Sequence, residues 1–451
     1  MKILSFLFLI TMSGALSAQV ELMVEKFQRL NDPGVTTRSE DRLTLDVLSE
    51  GEFLLIDNTD AKFDGSFRLY IDDQEINYSL SEAYLESSDG TNSFSVGRKI
   101  VDWNSNEVYW GLNHLNSRRS FTLLDEKREG LIGLHYDRSM GDLEFNFLLS
   151  YFYVPQLNPG LKVENGAVVS KSEWVRRPPT STTINDKRVP IFYNLNEPAA
   201  SDVVLNKTLG ANLSWSWGEK LTAGKLNTYI LYKPENSLRI NAEAYYDLDQ
   251  KQVIVNANPV VNHHAVLGIG YEQGIDLGTP GTTKVLANFE VIDPNAKLGK
   301  DFAVLDPIKM KEQNREFNSE FFTINPNYKR ESHFTLALNH SNTYFDLGLN
   351  YFGLLTEASS GDDFYSDTAR FENAVGLWLE ARPSEKLTWL IDLKHDLGRA
   401  DIILRTDLAY RFSKNTLGAV GVEALVAPKA ESFWSSYRAN DSVYISFGYV
   451  F

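Results

Sequence analysis

Cysteine is absent from the 451 residues. That excludes a disulfide framework and a cysteine-rich zinc site, and it excludes a lipoprotein anchor at the N-terminal leader. Long hydrophobic runs are missing too. Beyond the leader no segment reaches the ~18 consecutive apolar residues of a membrane helix, and the mean hydropathy is −0.27. Basic charge is in short supply: 44 Lys and Arg stand against 60 Asp and Glu, a net charge of −16. Nucleic acid, which needs a basic surface, is therefore not an expected partner. No Gly-rich phosphate loop or paired-carboxylate signature stands out. Aromatic residues are the abundant class, with 21 Tyr, 26 Phe and 8 Trp. A membrane protein built from such a chain has to cross as a closed barrel, because lipid cannot satisfy exposed backbone groups.

The segment from Ser442 to Phe451 is the most informative. Val443, Ile445, Phe447, Tyr449 and Phe451 share one face of a strand, and Tyr444, Ser446, Gly448 and Val450 share the other. Period-two alternation gives one side suited to an apolar medium and one suited to a wet interior. A bare aromatic edge strand would invite aggregation in water, whereas in a closed barrel the last strand pairs with the first. An ordinary buried strand is the plainer alternative. The pattern resembles the terminal strand of Gram-negative outer-membrane β-barrels, where a final Phe after alternating apolar residues acts as an assembly signal. The resemblance implies Phe447, Tyr449 and Phe451 as that signal. It also implies the barrel assembly machinery, outer-membrane lipid and lipopolysaccharide as partners, and the cell outer membrane as location.

At the other end Met1-Lys2 precedes an apolar run, Ile3 to Met12, of the length of a signal h-region. Small residues follow, and cleavage after Ser17 or after Ala18 fits. The expected organisation is a signal peptide over 1–18, a periplasmic segment over 19–62 and the barrel over 63–451. Residues 20–31 are expected as a short helix, with Val24, Phe27 and Leu30 roughly on one face. Residues 42–57 would either add a hairpin or lie in the periplasm.

The rest of the chain breaks into alternating segments of about ten residues, the size of a tilted membrane strand. Leu209 to Trp217 and Leu404 to Phe412 are clear examples. Turns near 412–416, 382–386, 340–343, 273–282, 218–225, 139–141 and 87–91 are short and should be periplasmic. Connections near 425–440, 354–370, 293–330, 154–206 and 102–129 are long and should be extracellular. The expected fold is all-β, an antiparallel up-and-down transmembrane barrel of about eighteen strands (sixteen if 226–257 is one long hairpin rather than three strands). Trp215, Trp217, Trp389, Tyr410 and Tyr449 are candidates for interfacial aromatic girdles.

Inward positions carry charges of both signs: Glu243, Glu290, Asp392, Lys394, Arg405, Asp407, Arg411 and Glu423. These are the candidate pore-lining residues, since such charges need water or a partner. Asp392 and Lys394 facing Arg405 and Asp407 would set a transverse field across a channel, or else a salt-bridged lumen. The connection 154–206 is long enough to be functional. Its Lys171, Trp174, Arg176, Arg177, Lys187 and Arg188 are the candidate constriction, where basic groups favour anions and aromatic rings favour ring compounds. A solvated surface loop is the alternative.

The stretch Phe94 to Trp103 resembles a strand of certain poorly characterised porin-like barrels that reads V-G-R-Q-x-V-x-W-G. Here Lys99 stands for the Gln and Asn104 for the final Gly. The resemblance covers about ten residues and implies a large porin-like barrel with no particular substrate. Arg98 shares parity with Phe94 and Val96, which places it at a strand end or beyond a bulge.

Outer-membrane lipid hydrolases resemble one another in a His-x-Ser-Asn pattern. In Asn339-His340-Ser341-Asn342 the His and Ser are adjacent, so they face opposite sides of a strand and cannot share a proton. His263-His264 is likewise adjacent and cannot hold a metal from one face. No enzyme, metal site or cofactor is expected. The expected function is a porin-like channel for small hydrophilic solutes, open or selective, with a homotrimer as one assembly the reading admits. The alternatives are a gated transporter, for polysaccharide export or apolar-compound uptake, and a plugged structural or adhesion barrel.

Overall fold

Eighteen strands close into one antiparallel barrel in the computed structural model, which describes residues 16–31, 39–52, 58–72, 74–119, 122–155, 162–170, 172, 174–184, 186–218, 220–247, 249–278, 280–294, 319–322, 330–356 and 369–451. The first nine wall strands are β1 (Leu16–Arg29), β2 (Ser39–Glu52), β3 (Thr59–Tyr70), β4 (Glu75–Ser88), β5 (Asn92–Lys99), β6 (Leu131–Met140), β7 (Leu143–Ser150), β8 (Thr208–Trp217) and β9 (Gly224–Pro234). The other nine are β10 (His263–Ile275), β11 (Thr282–Pro294), β12 (Glu331–Ser341), β13 (Phe345–Leu354), β14 (Asn373–Ser384), β15 (Leu387–Asp396), β16 (Asp401–Arg411), β17 (Thr416–Val426) and β18 (Ser442–Val450). Each pairs with its chain neighbours. β18 returns to β1 from Glu21↔Val450 to Arg29↔Ser442, and the Phe451 N–H donates to Val20 O at 2.9 Å.

Closure follows from alternation. On β18, Val443, Ile445, Phe447 and Tyr449 are exposed on the outer surface, while Ser442, Tyr444, Ser446 and Gly448 are buried on the inner side. On β16, Ile402, Leu408 and Tyr410 point out, and Arg405 and Asp407 share the opposite face. A wall that is apolar outside and polar inside, with no free edge, is the form in which strands cross lipid. The expected girdle rings Trp215, Trp389, Tyr410 and Tyr449 are exposed on the outer surface near the short-turn end. Trp217 lies 5.2 Å from Trp215 and 6.0 Å from Tyr271 between ring centroids.

All seven expected short turns join neighbouring strands at one end, and the five long connections lie at the other. The strand count agrees with expectation, but two of its members differ. Residues 19–62 are not a separate periplasmic segment, and 20–31 is not a helix: β1 and β2 are wall strands, paired from Leu16↔Gly51 to Gln28↔Ser39. Charges on the inner face disguised them. Glu21, Glu25 and Arg29 occupy inward positions of β1, so the apolar residues left visible, Val24, Phe27 and Leu30, fell at helical spacing. Arg29 and Arg42 hold Glu40 at 3.2 and 2.5 Å, which makes those charges tolerable where they are buried.

In 226–257 only β9 belongs to the wall. Residues 239–247 and 252–260 form a hairpin in a separate five-stranded sheet with 181–184, 187–195 and 319–322. That sheet is built from the connections β7–β8, β9–β10 and β11–β12, around Val189, Tyr193, Ala242, Ala244, Val253 and Val255. A strand outside the wall alternates like one inside it, so periodicity alone does not separate them. Residues 1–15, including the expected h-region, lie outside the described residues.

Candidate channel constriction

The connection between β5 and β6, residues 100–130, folds into the barrel rather than away from it. Its two ends are tied together by Arg98 Nη1 donating to Glu129 Oε2 at 2.9 Å. Ile100 N donates to Glu82 Oε1 at 3.1 Å and Gly130 N to Ser81 O at 2.9 Å, which turns both ends inward from β4. Arg98 therefore escapes the lipid face as its parity required: it sits at the strand end after Gly97, whose φ is +135°, and is buried against Glu129.

The connection is organised internally by polar groups. Asn116 exchanges hydrogen bonds with the Val101 backbone at 2.9 and 2.8 Å. The Glu107 carboxylate, on the short helix Glu107–Trp110, accepts from Leu115 N at 3.0 Å, Asn116 N at 3.2 Å and Asn116 Nδ2 at 3.0 Å. Burial pushes the Glu107 carboxyl up, against the pull of Arg118. Satisfied buried groups of this kind fix one conformation.

From that framework side chains reach walls on opposite sides of the lumen. Asn104 Nδ2 donates to Glu290 on β11 at 2.9 Å, and Asn106 Nδ2 to Thr335 on β12 at 3.0 Å. Tyr109 Oη donates to Leu393 O on β15 at 3.2 Å, with Lys394 Nζ 4.5 Å from the ring centroid. Gly376 leaves room there: a Cβ at that position would collide with the Tyr109 hydroxyl. Burial, followed by the Asp392 charge, pushes the Tyr109 phenol up. On the far side Arg68 of β3 donates to Asp125 at 2.6 Å and Lys127 donates to Asp46 of β2 at 2.6 Å. Arg370, in the β13–β14 connection, grips Glu126 with two bonds of 2.7 Å. The Arg68 charge holds the Asp125 carboxyl well below the usual range despite its burial.

An aromatic knot packs against this belt, joining its Trp110 to Phe352, Phe371, Trp434 and Tyr437. Polar space remains beside the connection. A cavity of about 480 Å³ is lined by Lys99, Asp137, Glu144, Asn146, Asn212 and Lys225 among others. A second, of about 270 Å³, has Arg118, Arg370, Lys394 and Arg405 on its wall with Asp125 and Asp392.

The charges expected to line the pore are distributed as follows. Glu290 is 1% exposed and held by the inward connection. Asp392 pairs with Lys394 at 2.5 Å and Arg405 with Asp407 at 3.1 Å, each within its own strand, and Arg405 also donates to Leu124 O at 3.3 Å. Asp392 and Arg405 are register partners, as are Arg405 and Glu423. Glu423 is buried and accepts from Ser442 Oγ at 3.0 Å. Arg411 is exposed at the short-turn end of β16. Glu243 is not on the wall: it lies in the separate sheet, paired with Asn256.

Among the described residues the hydrogen-bonded belt across the lumen comes from 100–130, and 154–206 contributes Trp174 to the aromatic knot. Trp174 is buried, its ring 5.8 Å from Tyr437. Arg176 is half-buried and Arg177 exposed, and Lys187 and Arg188 are exposed on the separate sheet, where Arg188 Nε donates to Ser181 Oγ at 2.8 Å. Lys171 lies outside the described residues. Basic and aromatic content says nothing about which way a loop folds. The anchors that do the crossing are Asn104, Asn106, Tyr109, Asp125, Glu126 and Lys127, which leave no periodic trace. The one available signal was the porin-like stretch Phe94 to Trp103, which is β5 and the entry to the belt. His340 and Ser341 make separate contacts, His340 Nδ1 with Thr283 Oγ1 at 2.8 Å and Ser341 with Asp346.

No family model matches the chain, and no curated protein matches it in sequence. Solved structures are similar in fold. A BenF-like porin from Pseudomonas fluorescens Pf-5 aligns with a TM-score of 0.52 at 9% identity, covering 97% of this chain and 98% of that one. Pseudomonas aeruginosa OccK2 (OpdF), solved in complex with glucuronate, aligns at 0.51 and 9% identity over 96% of both chains. Acinetobacter baumannii OccAB1 aligns at 0.51 and 9% identity, covering 97% of this chain and 98% of that one. The chain therefore has the fold of these three proteins, a closed β-barrel.

Proposed function

We propose that this protein is an outer-membrane channel for small hydrophilic solutes, and that residues 100–130 form its constriction. The observation that carries this reading is the division of the wall. Apolar side chains face out along the strands, while charged and amide side chains face a lumen that one anchored connection narrows without replacing its polar cavities. A barrel of this width has room for an aqueous path, and inward charges need the water such a path supplies.

In this reading Glu290, Asp392, Lys394, Arg405, Asp407, Arg411 and Glu423 line or support the path, and no catalytic step occurs. A leader ending at Ser17 or Ala18 directs export, and its removal leaves the part of β1, Glu21 to Arg29, that pairs with β18. Phe447, Tyr449 and Phe451 present the assembly signal to the barrel machinery. Lipid and lipopolysaccharide cover the outer face, and a homotrimer would have to form through that face. Paired Arg and carboxylate groups beside Tyr109 suit small polar solutes that carry a ring or a carboxylate. Glucuronate, bound by OccK2, is the natural first probe.

Liposome swelling tests the reading. Proteoliposomes carrying the folded mature protein should swell in iso-osmotic glucuronate or small sugars faster than protein-free vesicles, and not in a large dextran. Equal rates with and without the protein would reject the channel.

A further inference from the structure

We propose that His114, Glu290 and His333 form a binding site for a zinc-class divalent cation, which pins the constriction to the barrel wall. The site does not rest on the channel reading, since it depends only on where three side chains meet. His114 comes from the inward connection, Glu290 from β11 and His333 from β12. Their donor atoms lie within 4.8 Å of one another. Glu290 Oε2 is 3.1 Å from His114 Nδ1 and 3.0 Å from His333 Nε2. A cation bonded at roughly 2.0–2.1 Å to tetrahedral nitrogen and oxygen donors spaces those donors by roughly 3.3 Å, so each imidazole nitrogen needs to move only slightly away from the carboxylate oxygen.

Two further observations point to a ligand rather than to a plain ion pair. The other carboxylate oxygen, Glu290 Oε1, already accepts from Asn104 Nδ2 at 2.9 Å and from Tyr229 Oη. That fixes the carboxylate with Oε2 turned toward both imidazoles, the outer hydrogen bonding by which metal-binding carboxylates are oriented. His333 is 1% exposed, and neither of its ring nitrogens has a hydrogen-bond partner among the described residues: the Nε2 contact with Glu290 has the distance but not the alignment. A buried imidazole left in that state calls for a partner of another kind.

Two imidazoles and one carboxylate favour zinc over calcium or magnesium. His114 and His333 line a cavity of about 240 Å³, which has room for the water that completes four-coordination. The ligands are far apart in the chain, the first two separated by 176 residues. A cation joining them closes long loops, the situation in which a metal clip stabilises most. It would add a bond between the connection and the wall strands that Asn104 and Asn106 also contact.

The test uses tag-free mature protein, folded in detergent, stripped with chelator and titrated with zinc by calorimetry. The expected result is saturable binding of a single zinc per chain, with cobalt in its place giving the visible absorption of a tetrahedral site. His114→Ala lies outside the wall, so the barrel should still run as a heat-modifiable folded band while zinc affinity falls at least about tenfold. Tyr229→Phe, which touches no cation, should weaken binding by about tenfold through the loosened carboxylate. Absence of saturable zinc binding in the native protein would overturn the proposal. So would binding that is unchanged in folded His114→Ala, which would move the cation to other histidines of the chain.

Discussion

Individual side chains in this barrel are sorted by which face they occupy, and substitutions should follow that sorting. Ile445 is 58% exposed on the outer face of β18. Ile445→Lys would place a charge against lipid at an expected cost of about 2–4 kcal/mol at mid-depth, read as a lower denaturant midpoint for refolding into vesicles. Ile445→Val should be nearly neutral in the same assay. Asp125 carries a pH prediction. Its carboxyl is held down by the Arg68 guanidinium, so its folded value lies below the unfolded value of about 3.9. Such a group contributes stability above the unfolded value and loses it as pH falls through the folded one. The Asp125–Arg68 tether should therefore persist from neutral pH down to about 4 and release only in stronger acid. Channel-current noise that rises with a midpoint between about pH 5 and 7 in the native protein, and not in Asp125→Asn, would contradict this.

At the scale of elements, the connection 100–130 is the part that turns a plain barrel into a narrowed one. Replacing residues 104–127 by a short Gly-Ser linker removes the contacts to Asp46, Arg68, Glu290, Thr335 and Leu393. The wall should still close, because its ladder is made by the strands, and conductance should rise several-fold. Unchanged conductance would mean that the passage runs elsewhere. This element also marks the boundary of what the sequence makes legible. Strands with an apolar outer face and short turns are written in period-two alternation, and the expected turns fall where they should. The inward fold of 100–130 depends on Asn104, Asn106 and Tyr109 meeting partners 186, 229 and 284 residues away, and no local pattern records that. The meeting of His114, Glu290 and His333 is invisible for the same reason, although Glu290 alone is legible as an inward charge: each is a lone residue in its own segment until the barrel brings β11 and β12 to the connection. Glu243, Lys187 and Arg188 show the reverse error, in which a suggestive local pattern belongs to a sheet outside the wall.

For the whole molecule, closure is the controlling fact. The expected and observed strand counts agree because two differences cancel: β1 and β2 join the wall, and two of the three strands expected within 226–257 form the separate sheet instead. Removing 19–52 should therefore not yield a barrel lacking a periplasmic tail. It should leave β18 and β3 as unpaired edges, and the product should fail to show a heat-modifiable band, because lipid cannot satisfy an open edge. A stably folded, heat-modifiable product would restore the periplasmic assignment. The central claim is that a constricted aqueous path runs through this barrel. Single-channel recording of the refolded mature protein in a planar bilayer, with ion preference from the reversal potential, tests it most directly. The account predicts steady unitary conductance that grows when 104–127 is replaced. A folded, heat-modifiable barrel without conductance in either form would contradict it.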